Sequence, residues 1–173
     1  MLRKISLALV AAALTLVPTT AKAEFKPGNL ELTLGGNGAS NRGLTEGSFG
    51  VNGSLGYFFT KDLELSLRQS VNYFDGNQAG SSITASTRVA LDYHFDLGAW
   101  RPFVGANIGY SYGNHGFRDT GEIAPEAGVK YFLNTTTFVY GMVEYQVFFR
   151  NGHGGNFDHG SFVYGLGLGV LLN

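Results

Sequence analysis

Ten ionisable residues recur at alternating positions along this chain: Glu31, Glu64, Arg68, Arg88, Asp92, His94, Glu122, Glu126, Lys130 and Glu144. Each sits among residues whose neighbours on either side are largely apolar. A period of two puts such residues on one face of extended chain. Charges enclosed on one face must pair with each other, because an unpaired buried charge is strongly unfavourable. A salt-bridged interior is therefore the first chemistry these residues suggest. A narrow water-filled path along the same face is the second. With six acids against three permanent bases, it would favour cations.

Nucleophilic catalysis is a third possibility, and the spacing argues against it. It needs a hydroxyl beside a histidine that an acid orients. Asp92 and His94 share a face, but Ser86 lies eight residues from His94 along the same extended segment, out of contact. His153 and His159 fall in a glycine-rich polar stretch that reads as a loop, with Asp158 and Ser161 nearby. No catalytic residue is assigned, and the chain is read as a non-enzyme. His115, His153 and His159 could meet at a metal only if separate loops folded together, so no metal site is assigned. There is no cysteine, hence no thiolate ligand or disulfide framework. No cofactor motif is present.

The elements that would carry this face are strands. Alternation predicts eight of them, at about 29–37, 48–59, 63–73, 82–95, 102–113, 121–132, 137–149 and 161–172. The fourth is cleanest. Ile83, Ala85, Thr87, Val89, Leu91, Tyr93 and Phe95 share one face, and Thr84, Ser86, Arg88, Ala90, Asp92 and His94 the other. In the eighth, Phe162, Tyr164, Leu166, Leu168, Val170 and Leu172 face away from Gly165, Gly167 and Gly169. Its apolar face is long enough to cross a bilayer, which takes about 9–11 tilted residues. In the seventh strand Val139, Val143, Tyr145, Val147 and Phe149 are read as outward. Pro125 interrupts the sixth strand, since it cannot donate to a ladder. A bulge, or a strand beginning at Glu126, would accommodate it.

Connections alternate in length. Those at 60–62, 96–101 and 133–136 are short, and those at 40–47, 74–81, 114–120 and 150–160 are longer and polar. Tyr57, Phe59, Tyr93, Phe95, Trp100, Tyr131 and Phe138 fall toward the short turns, while Tyr73, Tyr110, Tyr112, Phe149 and Phe162 fall toward the long loops. Two aromatic belts, short turns at one end and longer loops at the other describe a barrel in a membrane. Lipid cannot satisfy open strand edges, so the sheet must close. A soluble barrel with the apolar face inside shares the periodicity, but it explains neither the belts nor the glycine-lined polar face.

The N-terminus reads as a secretory signal. Arg3 and Lys4 precede an apolar run, and Ala21-Lys22-Ala23 has the form of a cleavage site. Residues 1–23 are thus expected to be a signal peptide and 24–173 the barrel. The predicted mature chain has nine Lys and Arg against thirteen Asp and Glu, a formal charge of −4. With no basic run, nucleic-acid binding is not expected.

Three stretches carry a resemblance. Leu55-Gly-Tyr-Phe-Phe-Thr-Lys-Asp-Leu-Glu-Leu-Ser-Leu67, Arg101-Pro-Phe-Val-Gly-Ala-Asn-Ile-Gly-Tyr110 and Glu126-Ala-Gly-Val-Lys-Tyr-Phe-Leu133 resemble hairpin and strand segments of the small eight-stranded outer-membrane β-barrel family. That family includes the OmpA transmembrane domain and the opacity-type porin-family surface proteins. The resemblance spans 24–173. It implies an all-β, eight-stranded antiparallel up-and-down transmembrane barrel in a bacterial outer membrane, with both termini periplasmic. The implied partners are outer-membrane lipid, lipopolysaccharide and the barrel-assembly machinery. A monomer is expected, with host or phage contact through the loops. Family members commonly end in an aromatic residue, whereas this chain ends Leu172-Asn173. Lipid A deacylases and palmitoyltransferases use related barrels; His153, followed by Gly154-Gly155, does not match a deacylase-type His-x-Ser arrangement, whereas His159-Gly160-Ser161 does place a histidine and a serine two apart. The expected function is a structural or surface-interaction role with a plugged polar interior. The alternative is a narrow cation-leaning channel, and a lipid A-modifying enzyme is a distant third.

Overall fold

The computed structural model describes residues 25–40, 47–74, 82–114, 119–149 and 160–172. The expected signal peptide and cleavage site, and His115, His153, Asp158 and His159, lie outside the described residues. Eight strands follow one another: β1 (Leu30–Ser40), β2 (Gly47–Phe58), β3 (Leu63–Phe74), β4 (Ser82–His94), β5 (Trp100–Gly113), β6 (Thr120–Phe132), β7 (Thr137–Phe149) and β8 (Ser161–Leu172). Each pairs antiparallel with the next, and β1 pairs with β8 from Leu30↔Leu172 to Ser40↔Phe162, so the sheet is a closed barrel. Closure leaves no edge whose backbone groups would face lipid.

Alternation sorts the side chains. Leu34 and Leu166 are each 72% exposed, while Glu31, Glu64, Asp92 and Glu144 are buried. The apolar face is therefore outside and the polar face fills the lumen. At the short-turn end, Tyr57 packs on Phe59, Tyr93 on Phe95 and Trp100 on Tyr131, with ring centres 4.6–5.2 Å apart. Tyr73, Tyr110, Tyr112 and Phe149 are exposed toward the other end.

Each short turn is fixed by its own side chain. Thr60 Oγ1 accepts from the backbone N–H of Asp62 and Leu63 at 3.2 and 3.0 Å. Asp96 Oδ1 accepts from Gly98, whose φ of +79° suits glycine, at 3.0 Å. Asn134 Oδ1 accepts from the N–H of Thr136 and Thr137 at 2.9 and 2.7 Å. Such local acceptors favour turns over continued strand. The first strand begins and the last strand ends at this same end of the barrel.

Three sequence readings need correction. Pro125 produces neither a bulge nor a late start. Strand β6 begins at Thr120 and keeps its register with β7 on both sides of the proline, Ile123↔Val147 and Glu126↔Glu144. The pairing with β7 lapses between those two rungs, while the β5 side retains Ala106↔Pro125. The proline ring faces outward, so the lost donor is the whole disturbance. Phe138 is not in the outer belt: it is 0% exposed and points into the lumen, as its parity with inward Tyr140 requires. Val147 has outward parity but is 1% exposed, beside the rungs lost at Pro125.

The glycine face of β8 makes room for β7. A Cβ on Gly165 would press on Met142, one on Gly167 on the Tyr140 ring, and one on Gly169 on the Phe138 ring. These are the residues opposite them in register. Gly128 likewise accommodates Phe103, and Gly105 and Gly109 accommodate Asp92 and Arg88. In a narrow barrel, these large inward side chains thus lean over glycines of the next strand.

Candidate functional site

All ten ionisable residues singled out from the sequence project into the lumen. Nine are buried, and Arg68, with 12% side-chain exposure, is nearly so. Strand β6 supplies Lys130, Glu126 and Glu122 at intervals of four, so it contributes one group to each of three successive layers.

The layer nearest the short turns centres on Lys130. Its ammonium donates to both oxygens of Glu31 at 2.6 and 2.7 Å and to Glu64 Oε2 at 3.0 Å. His94 Nε2 lies 2.9 Å from the same Glu64 oxygen. In the middle layer, Arg68 Nη2 reaches Asp92 Oδ2 at 2.5 Å and Glu126 Oε1 at 2.7 Å, and Nη1 donates to Glu126 Oε2 at 2.9 Å. In the layer nearest the loops, Arg88 Nη1 pairs with Glu144, and Arg88 Nε lies 3.6 Å from Glu122 Oε1. Ser111 donates to Glu122 at 2.6 Å. Asn107 ties the last two layers together, donating to Glu126 at 2.5 Å and to Glu144 at 2.8 Å.

Beneath these layers is an apolar floor that the sequence did not disclose. Phe25, Phe58, Phe132, Phe138, Tyr140 and Leu171 form one buried cluster at the short-turn end. Phe25 precedes β1 and turns back into the mouth of the barrel. Its ring lies 4.5 Å from Phe58 and 5.5 Å from Phe132, edge to face, and it stacks on His94. The Arg101 guanidinium sits 4.1 Å from the centre of the Phe25 ring and pairs with Asp96 at 3.1 Å. Backbone bonds fix this segment: Gly28 N–H donates to Phe58 O at 2.8 Å, and Phe58 N–H to Asn29 O at 3.0 Å. Gly28, at φ +94°, makes the turn.

Sequence reasoning missed Phe25, Asn107 and Arg101. The last two were recoverable: Arg101 shares inward parity with Phe103, and Asn107 with both. Phe25 carried no periodic signal because it lies outside the strands.

Among the described residues, two spaces inside the barrel stand out. One of about 50 Å³ lies among Thr33, Asn52, Arg68, Lys130 and Tyr140. The other, about 200 Å³, is a polar vestibule toward the loops, walled by Asn37, Ser70, Asn72, Thr84 and Gln146 with Arg88 at its base. Their hydrogen bonds join walls rather than point to a ligand: Ser70 to Ser86 at 2.8 Å, and Asn37 to Asn72. Ser86 is thus engaged with Ser70 rather than with His94. Among the described residues, no group of three or more His, Asp and Glu has the arrangement to hold a metal ion.

No curated protein matches the sequence. Several solved structures share its fold. OprG from Pseudomonas aeruginosa aligns with a TM-score of 0.64 at 14% identity, covering 87% of this chain and 98% of that one. Neisserial surface protein A aligns at 0.62 and 15% identity, covering 83% and 95%. Ail, the attachment invasion locus protein of Yersinia pestis, solved with the heparin analogue sucrose octasulfate, aligns at 0.53 and 17% identity, covering 84% and 99%. The model of the outer membrane protein beta-barrel domain family matches residues 6–169 of the 173. The chain therefore belongs to the outer membrane protein β-barrel domain family.

Proposed function

We propose that this barrel is a closed structural element of the outer membrane that presents its loops to the outside, and not a steady pore. One observation carries the reading: three ion-pair layers stand on a phenylalanine floor and crowd the lumen around inner spaces of about 50 and 200 Å³. Eight strands give a bore that side chains can fill. Buried ion pairs of this kind hold a register well even where they add little net stability.

Residues 1–23 act as the export signal in this reading, and the mature chain begins at Glu24. That start leaves Phe25 as its second residue, free to fold back into the short-turn mouth. The short-turn end and both termini face the periplasm. Lipopolysaccharide and phospholipid cover the apolar band, and the barrel-assembly machinery inserts the monomer. The loops touch a host cell or a phage. Ail, of similar fold, was solved with a heparin analogue.

The second reading is a cation-leaning channel, favoured by the excess of acids in the lumen. Solute-driven swelling of vesicles containing the refolded mature chain separates the closed barrel from a channel wide enough for small solutes. No swelling above protein-free vesicles, with arabinose as the solute, is expected. Swelling comparable with that of a general porin would make transport the primary function.

A further inference from the structure

The charge in the lumen does not balance. Each base is shared by two carboxylates: Lys130 by Glu31 and Glu64, Arg68 by Asp92 and Glu126, Arg88 by Glu122 and Glu144. One negative charge per triad is left unmatched. All six acids are at most 6% exposed, so water does not solvate the excess. A second observation points to the same deficit. Asp92 Oδ1 and Glu122 Oε1 are buried carboxylate oxygens that accept no hydrogen bond, Glu122 Oε1 having only the Arg88 Nε ion pair at 3.6 Å. Buried acceptors are nearly always satisfied, so each exception calls for an explanation.

The other groups facing the triads do not remove the imbalance. His94 from β4, Tyr140 from β7 and Arg101 from β5 face the first triad, and Arg101 is matched by Asp96. Asn107 from β5 faces the second and third. Ser111 from β5 faces the third. Of these, His94 alone could add a positive charge, and only by binding a proton.

We propose that each triad takes up one further small monovalent cation, a proton or an alkali metal ion, as the barrel folds. In the second and third triads the cation sits at these oxygens of Asp92 and Glu122. In the first it is a proton, shared among Glu31, Glu64 and His94. The lumen then closes as a neutral body. This inference rests on the closed lumen of the proposed function, because a water-filled bore would balance its charge with mobile ions.

The test refolds the full mature chain from urea into phosphatidylcholine vesicles at pH 8. Proton uptake is read by pH-stat titration in weakly buffered choline chloride. The urea midpoint is then compared between choline chloride and sodium or potassium chloride at equal ionic strength. Uptake of about three protons per chain identifies the cation as the proton. A midpoint that rises when sodium or potassium replaces choline identifies an alkali metal ion. Glu31→Gln, Asp92→Asn and Glu122→Gln each lower the uptake by about one proton, or the last two weaken the alkali-ion dependence. Neither uptake nor alkali-ion dependence overturns the proposal, and so does an effect that none of the three variants moves. A silent bilayer with no uptake refutes this inference alone, whereas a large steady conductance refutes the closed lumen beneath it.

Discussion

Replacing Lys130 with methionine tests the energetic core of the barrel. The Lys130 ammonium is 2.6–3.0 Å from three carboxylate oxygens, two of Glu31 and one of Glu64. It also lies 5.3–5.7 Å from the ring centres of Phe58, Phe103 and Phe138. Methionine retains most of the volume against those rings and removes the charge. Breaking a buried ion pair from one side costs about 3–5 kcal/mol, because the remaining partner stays buried. Loss of the ring contacts adds about 0.5–2 kcal/mol. With a urea slope of about 1–3 kcal/mol per molar, the unfolding midpoint should fall by about 2 M. Trp100, the single tryptophan, reports unfolding in vesicles through its fluorescence. Adding Glu31→Gln should restore about half of the loss or more, since Glu64 retains His94 at 2.9 Å. A cost below about 1 kcal/mol for Lys130→Met would be that of a solvated surface pair. It would refute a dry lumen.

Three further outcomes are expected. Val89 is outward and exposed while Thr84 is inward near the loop end. Val89→Arg should therefore lower the refolded fraction in liposomes by an amount equivalent to about 2–4 kcal/mol and Thr84→Arg far less, and equal losses would mean the facing is wrong. A Cβ at Gly167 would meet Leu34 O at 2.5 Å and the Tyr140 ring at 2.7 Å, whereas one at Gly53 meets only Thr33 O at 3.4 Å and Leu34 Cδ1 at 3.9 Å. Gly167→Ala should cost about 1–3 kcal/mol in urea titration and Gly53→Ala much less. Intact-mass measurement of the protein from an outer-membrane fraction should give a chain beginning at Glu24, and recovery in the soluble fraction without detergent would contradict the localisation.

Sequence and structure agree where a boundary between two media was written into the chain. The ends of β7 and β8 coincide with the alternating segments Thr137–Phe149 and Ser161–Leu172, because apolar and polar residues there mark lipid and lumen. The same rule misled at Phe138. The lumen is polar only above its floor, and an apolar floor residue looks like a belt residue when position along the strand is weighed ahead of parity. Pro125 looks like a breach of the ladder, yet a strand hydrogen-bonded on both sides can lose one donor and keep its register. The inward set was legible from parity, but its pairing was not. Lys130 meets Glu31 across 99 positions, and Arg68 meets Glu126 across 58. Such partners are chosen by the closure of the sheet and the stagger of its strands, which local sequence does not encode. Phe25 was invisible for a related reason: its place is defined by the mouth it fills.

Single-channel recording in planar bilayers tests the closed lumen most directly. The wild-type mature barrel should show no steady conductance, because Phe25, 4% exposed, and the ion-pair layers above it obstruct the bore. Phe25→Ala opens only the floor, so brief openings at most are expected from it. A large, steady, cation-selective current from the wild-type protein would contradict the account and make transport the function of this barrel.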